Sequence, residues 1–151
     1  MAAIKQKSRD NSRTPMQWDA TPHAGFTSGT PWINVAPNYA DVNVETALDD
    51  PNSVFYHYKN LISLRKELDV LTDGDYTILT PDALDVWAYT RKTEHEEVLV
   101  VANFYGPETT YEIPAGFTRA EVVSHNYDVP QLDGTTLSLR AYEAIMFYKK
   151  K

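Results

Sequence analysis

The densest group of side chains that could do chemistry lies near the start of the chain. Residues 8–19 read S-R-D-N-S-R-T-P-M-Q-W-D and contain two Arg, two Asp, an Asn, a Gln and a Trp. Guanidinium and carboxylate groups hydrogen-bond vicinal hydroxyls, and an indole covers the apolar side of a sugar ring. The segment therefore suits a sugar ligand. A loop held together by its own Arg–Asp pairs would have the same composition, so both interpretations stay open on the residues alone.

Composition argues against several other chemistries. The formal net charge is −7 and there is no cysteine, which disfavours phosphate-backbone binding and excludes disulfides, thiolate metal sites and a Cys nucleophile. None of the four histidines has a partner at metal-ligand spacing. We expect no cofactor, no metal, no nucleic-acid partner and no membrane partner. Residues 1–11 lack the apolar region of a signal peptide, and a cytoplasmic location is the expectation.

The secondary structure that must position residues 8–19 is predicted to change in type along the chain. Residues 1–51 hold five of the nine prolines and show no sustained period, except for a short helical turn expected at Val44–Leu48. So long an irregular stretch is typical of a functional loop or of part of something larger.

A helix is expected over about 52–68. Asp50 is the N-cap candidate, Pro51 fits the first helical position, and Arg65 and Lys66 suit the last turns. Apolar residues recur at helical spacing on one face: Val54, Phe55, Tyr58, Leu61, Ile62 and Leu68.

From residue 75 the period becomes that of short strands, separated by Pro, Gly and Asp turns. Seven are expected: Tyr76–Leu79, Val86–Arg91, Val98–Phe104, Thr109–Ile113, Glu121–His125, Thr136–Arg140 and Ala144–Tyr148. Trp87 alternates with polar neighbours and is expected in the core. The fold class is therefore mainly β, an antiparallel β-sandwich preceded by one long helix and an irregular loop arm.

The chain also resembles a known family, the α-amylase superfamily of glycoside hydrolases. The resemblance is carried by the string at 8–19, by H-A-G-F-T at 23–27 and by G-T-P-W-I at 29–33. It continues through S-V-F-Y-H-Y at 53–58, V-A-N-F at 101–104 and R-A-Y-E-A at 140–144. More narrowly, the chain resembles the group of oligo-1,6-glucosidases, dextran glucosidases and trehalose-6-phosphate hydrolases, and within it the trehalose-6-phosphate hydrolases first, with the oligo-1,6-glucosidases a close second.

The resemblance implies an architecture and a reaction. Residues 1–69 would be the end of a catalytic (β/α)8 barrel, namely an active-site loop and the last barrel helix, and 70–151 would be the C-terminal sandwich domain. The reaction implied is retaining hydrolysis of small α-glucosides. The carboxylates that perform it in the family lie on earlier barrel strands and have no counterpart here, so we expect no catalytic residue in this chain and no activity from it alone.

The same resemblance assigns roles within the string. The Arg before Thr-Pro, Arg13, would contact the terminal glucose of the substrate when the barrel is present. Arg9 and Asp10 would brace the loop. Trp18 and Trp32 are expected to pack the loop against the barrel rather than stack on sugar.

Two further expectations follow from the residues. The sandwich could instead be a non-catalytic structural or carbohydrate-binding module, with Tyr76, Trp87, Tyr89 and Tyr111 as candidates for an aromatic platform. The apolar face of the helix at 52–68 lacks its barrel partners, so it is expected to fold back on the sandwich or to drive self-association.

Overall fold

The structure is a computed structural model that describes residues 9–128 and 130–151, apart from the side chains of Arg9 and Asn11. The chain forms two compact units, one ending at Lys59 and the other running from Asn60 to Lys151. The domain boundary expected between residues 69 and 70 stays a prediction. Among the described residues, no helix has the length and apolar character needed to cross a membrane.

The first unit is mostly irregular. Its described residues form short 3-10 turns at Arg9–Ser12 and Pro22–Gly25 and helix α1 (Val44–Asp49), where a helical turn was expected. Helix α2 (Val54–Glu67) follows within the range expected from the sequence. A third helix of one turn, α3 (Val70–Asp73), was not expected, because four residues are too few to show a helical period.

Eight strands follow in the part of the second unit that the structure describes. They are β1 (Asp75–Ile78), β2 (Val86–Lys92), β3 (Glu96–Asn103), β4 (Thr109–Glu112), β5 (Glu121–His125), β6 (Gln131–Asp133), β7 (Thr136–Leu139) and β8 (Ala144–Lys150). Seven correspond to the expected strands. Strand β6 was missed, since three residues between turns carry almost no pattern.

The strands form two antiparallel sheets, in the orders β1-β2-β3-β8-β5 and β4-β7-β6. Their inner faces share one apolar core, which includes Leu99, Phe117, Leu137, Leu139 and Phe147. This arrangement confirms the antiparallel β-sandwich that the alternating runs predicted.

The expectation that Trp87 lies in the core is wrong. Val86 and Ala88 point inward, and Trp87 is 45% exposed on the outer face of the five-stranded sheet. Large side chains from the facing sheet fill the core here, so a residue as small as Ala88 suffices at the inward position.

Candidate functional site

The candidate site is the loop that carries the string at 8–19, and it is anchored to the start of α1. The backbone N–H groups of Val44 and Glu45 donate to the carbonyls of Gln17 and Trp18, at 2.9 and 3.0 Å. Gln17 also donates its side-chain amide to the carbonyl of Val42. The loop thus supplies acceptors to helix N–H groups that have no partner within the helix.

The next N–H of the same helix is satisfied by a capping box. Asn43 Oδ1 accepts from the N–H of Thr46 at 2.9 Å, and Thr46 Oγ1 accepts from the N–H of Asn43 at 3.3 Å. Asn43 is buried and its amide also donates to the carbonyl of Tyr39. Helix α1 is therefore a fixed support for the Gln17–Trp18 segment.

A tight turn after Trp18 holds Asp19. Three successive residues, His23, Ala24 and Gly25, have positive φ angles of 58°, 57° and 65°, a region that costs free energy for residues other than glycine. A Cβ on Gly25 would lie 2.5 Å from a carboxylate oxygen of Asp19, so glycine is required for the carboxylate to lie there. Such strain is stored where the surrounding structure fixes it, and it often occurs at ligand sites.

The Asp19 carboxylate is already occupied by the loop itself. It accepts from the backbone N–H of Thr21 at 2.9 Å and from the Thr21 hydroxyl. These hydrogen bonds lower the pKa of Asp19 below its usual value. At neutral pH the group is ionised, which disfavours a role as proton donor and favours a structural role.

Arg13 differs from its neighbours in the string. Its backbone N–H donates to the carbonyl of Asp10 at 3.0 Å and closes the first 3-10 turn. Its side chain is exposed and, over the residues that the structure describes, has neither an ion pair nor a hydrogen bond. The guanidinium is therefore available to an external acceptor, and its role as a substrate contact, which the resemblance implies, stays a prediction.

The two residues expected to brace the loop are only partly described. The backbone carbonyl of Asp10 accepts from the N–H of Arg13, and Asp10 has a further interaction of its own; its bracing role stays a prediction. The Arg9 side chain lies outside the described residues, so its bracing role stays a prediction.

The two tryptophans of this unit are exposed. Trp18 is 50% exposed and Trp32 is 100% exposed. No described residue covers Trp32, and the expected packing of both tryptophans against a barrel stays a prediction. No group of three or more His, Asp or Glu in the described ranges could hold a metal ion, and the expectation of no metal stays a prediction as well.

Comparison with known proteins finds two family models that match successive parts of the chain. Residues 1–74 match the family described as "Alpha amylase, catalytic domain", and residues 86–146 match "Alpha-amylase SusG C-terminal domain". An oligo-1,6-glucosidase of Halalkalibacterium halodurans is 48% identical over 99% of this chain. A trehalose-6-phosphate hydrolase of Bacillus subtilis is 47% identical over 97% of it. The chain spans 27% of the length of each relative.

Solved structures agree with the sequence relatives. The crystal structure of a Bacillus licheniformis trehalose-6-phosphate hydrolase superimposes with a TM-score of 0.91 at 43% identity, over 99% of this chain and 28% of that one. A trehalulose synthase from Pseudomonas mesoacidophila gives a TM-score of 0.86 at 39% identity, over 94% and 26%.

Proposed function

Because the chain belongs to the α-amylase family of glycoside hydrolases, we propose that it is the C-terminal portion of an enzyme that hydrolyses small α-glucosides with retention. The substrates proposed are trehalose 6-phosphate or α-1,6-linked oligosaccharides. They correspond to the names of two relatives, the trehalose-6-phosphate hydrolase at 47% identity and the oligo-1,6-glucosidase at 48%. The cytoplasmic location expected from the sequence belongs to the same proposal.

The chemistry proposed needs two carboxyl groups across the scissile bond. One attacks the anomeric carbon and forms a covalent glycosyl-enzyme, and the other donates a proton to the leaving oxygen and then activates water. We assign both groups to the part of the longer protein outside this chain. Asp19 does not supply the acid, because its pKa is lowered by Thr21.

This chain contributes a substrate-holding group, Arg13. The observation that carries the assignment is that the Arg13 guanidinium is exposed and uncommitted among the described residues, whereas Gln17 is fixed by Val42 and Asp19 by Thr21. A guanidinium presents several N–H donors in a planar fork, which suits the vicinal hydroxyls of a terminal glucose. Its position would be set by the anchored segment that follows it.

The alternative function, a carbohydrate-binding module, has one observation in its favour. Tyr76, Trp87 and Tyr89 lie on the same outer face of the five-stranded sheet, and the Tyr76 and Tyr89 rings are 5.1 Å apart. Tyr111 is not part of this face, since it packs against the core between the sheets.

The rest of that face is already covered within the chain. Met146 is only 8% exposed, and Val70, Val98 and Tyr148 form a second buried cluster. The half-exposed aromatic residues of this face are Tyr76 and Trp87, at 50% and 45%.

The proposed function is tested by grafting. Residues 7–151 would replace the matching segment of the Bacillus subtilis trehalose-6-phosphate hydrolase, and hydrolysis of trehalose 6-phosphate, isomaltose and a nitrophenyl α-glucoside would be measured. We expect the graft to be active and the chain alone to be inactive. A graft that folds and binds substrate but does not hydrolyse it, or turnover by the chain alone that is lost on changing an acidic residue within it, would contradict the proposal.

A further inference from the structure

The outer face of the three-stranded sheet differs in chemistry from that of the five-stranded sheet. Strand pairing places Ser138 of β7 directly opposite both Thr110 of β4 and Gln131 of β6. Their neighbours Leu137 and Leu139 point the other way and are fully buried in the core. A hydroxyl, an amide and a second hydroxyl therefore lie side by side across three strands on one outer surface.

These side chains line a shallow groove. Its volume is about 260 Å³, and Glu108 and Arg140 line it together with Thr110, Gln131 and Ser138. Sites for drug-sized ligands are about 300–1,000 Å³, so the groove is of a size for one or two small rings. It uses none of the residues of the Arg13 loop.

Three of the polar side chains that line the groove make no hydrogen bond within the described part of the fold. Neighbouring polar residues are committed, since Glu112 accepts from Thr135 and Thr136, and Thr109 donates to Asp85. By contrast, the side chains of Thr110, Gln131 and Ser138 make no hydrogen bond anywhere in the ranges 9–128 and 130–151. Their donors and acceptors are available to an external group.

Arg140 gives the groove a rigid end without adding net charge. Its guanidinium donates to the buried carboxylate of Glu143, at 2.7 Å from Nη2 and 2.9 Å from Nε. The Tyr127 ring lies 4.4 Å from the same guanidinium on another side. Because Glu143 already neutralises Arg140, the remaining charge in the groove is the carboxylate of Glu108, which disfavours phosphates and other anions.

We propose that this groove is a second, non-catalytic binding site for a neutral saccharide. A sugar hydroxyl both donates and accepts, and so do the Thr and Ser hydroxyls and the Gln amide that line the groove. Glu108 adds an acceptor for a pair of hydroxyls. The ligand class is a short uncharged glucoside, bound through its hydroxyl edge.

The test is a titration of the purified chain with maltose, isomaltose and trehalose, followed by backbone amide NMR. We expect saturable shifts at Thr110, Gln131 and Ser138, with a dissociation constant on the order of 1 mM. The double variant Gln131→Ala, Ser138→Ala removes two exposed or half-exposed polar groups and should weaken binding at least about tenfold. Adding a phosphate to the sugar should weaken binding too, because the phosphate meets Glu108.

The matched control is Asp133→Ala, which changes a polar residue on the same strand and the same face as Gln131 but outside the groove. This variant should bind as the unchanged chain does. Unchanged amide positions for Leu99 and Phe147 in the core show that each variant keeps the fold. Three results would overturn the proposal: no saturable shift with any of the sugars, equal binding by the double variant, or shifts centred on Tyr76 and Trp87. Since the assay involves no catalysis, its outcome is independent of the proposed hydrolase activity.

Discussion

Arg91 is the side chain on which the junction between helix and sandwich depends most, and removing it gives a sharp test of the fold. Its Nε donates to the carbonyl of Val70 at 3.1 Å, and its Nη2 donates to those of Thr72 and Gly74 at 2.9 and 2.8 Å. One planar guanidinium thus ties α3 and the start of β1 to strand β2.

The loss of stability expected on removing Arg91 depends on which of these carbonyls water can reach. The bond to Thr72 is exposed, so water replaces it, whereas the bonds to Val70 and Gly74 are partly buried. A hydrogen bond to a charged group contributes about 1.5–3 kcal/mol. Arg91→Met should therefore reduce the free energy of unfolding of the sandwich by about 2–4 kcal/mol. Arg91→Lys should reduce the free energy of unfolding by at least half as much, because an ammonium group cannot match the planar fork of a guanidinium.

The assay is a urea titration followed at the amide resonances of Leu99 and Phe147, which report the sandwich alone. The matched control is Lys92→Met, which changes the adjacent exposed residue on the opposite face of β2 and should lie within about 0.5 kcal/mol of the unchanged chain. If Arg91→Met were no more destabilising than Lys92→Met, the assigned role of Arg91 would be wrong.

Two other predictions concern pH and association. Burial raises the pKa of the Glu143 carboxyl, but hydrogen bonds from Arg140 outweigh it and the pKa lies below its usual value of 4.5. The stability it contributes is thus present above that value and lost as pH falls through the folded-state pKa; Glu143→Gln should flatten this part of an acid-unfolding curve, and an unchanged acid limb would refute the assignment. The α2 residues Val54 and Tyr58 are 83% and 65% exposed, so we propose that the chain self-associates through this face. Sedimentation velocity should show concentration-dependent association that Val54→Ser weakens, and a monomer at every concentration would contradict it.

The sequence predicted most of the regular structure, because that structure depends on local pattern. The cap and apolar spacing predicted the helix within two residues of Val54–Glu67. Alternation predicted seven of the eight strands, including β5 at Glu121–His125 without error. The elements missed, α3 and β6, have four and three residues, which is too short for either period to be visible.

What the sequence could not predict depends on contacts between distant segments. Alternation in β2 separates Trp87 from Val86 and Ala88, but it does not say which face meets the other sheet. The hydrogen bonds that Arg91 makes go to carbonyls that lie 17 to 21 residues away along the chain. The groove on the three-stranded sheet exists only because β6 and β4 both pair with β7.

Within the candidate site, the resemblance suggested a group, Arg13, whose role stays a prediction, and the sequence did not show what supports it. Arg13 was assigned through resemblance, and the structure adds that its guanidinium is exposed and uncommitted within the described residues. The anchoring of Gln17 and Trp18 to the first turn of α1 had no local signal. Gly25 was visible in the sequence, but its contact with Asp19 was not.

The central claim is that Arg13 holds substrate for a hydrolase of which this chain forms a part. The most direct measurement is the kcat/KM of the grafted enzyme with Arg13→Lys and, as a control, Arg119→Lys, another exposed arginine. Loss of the planar fork should lower kcat/KM by about 10- to 150-fold, with unchanged stability, while Arg119→Lys should have no effect. An Arg13→Lys graft that retains full kcat/KM, or one that loses activity only because it unfolds, would contradict the account.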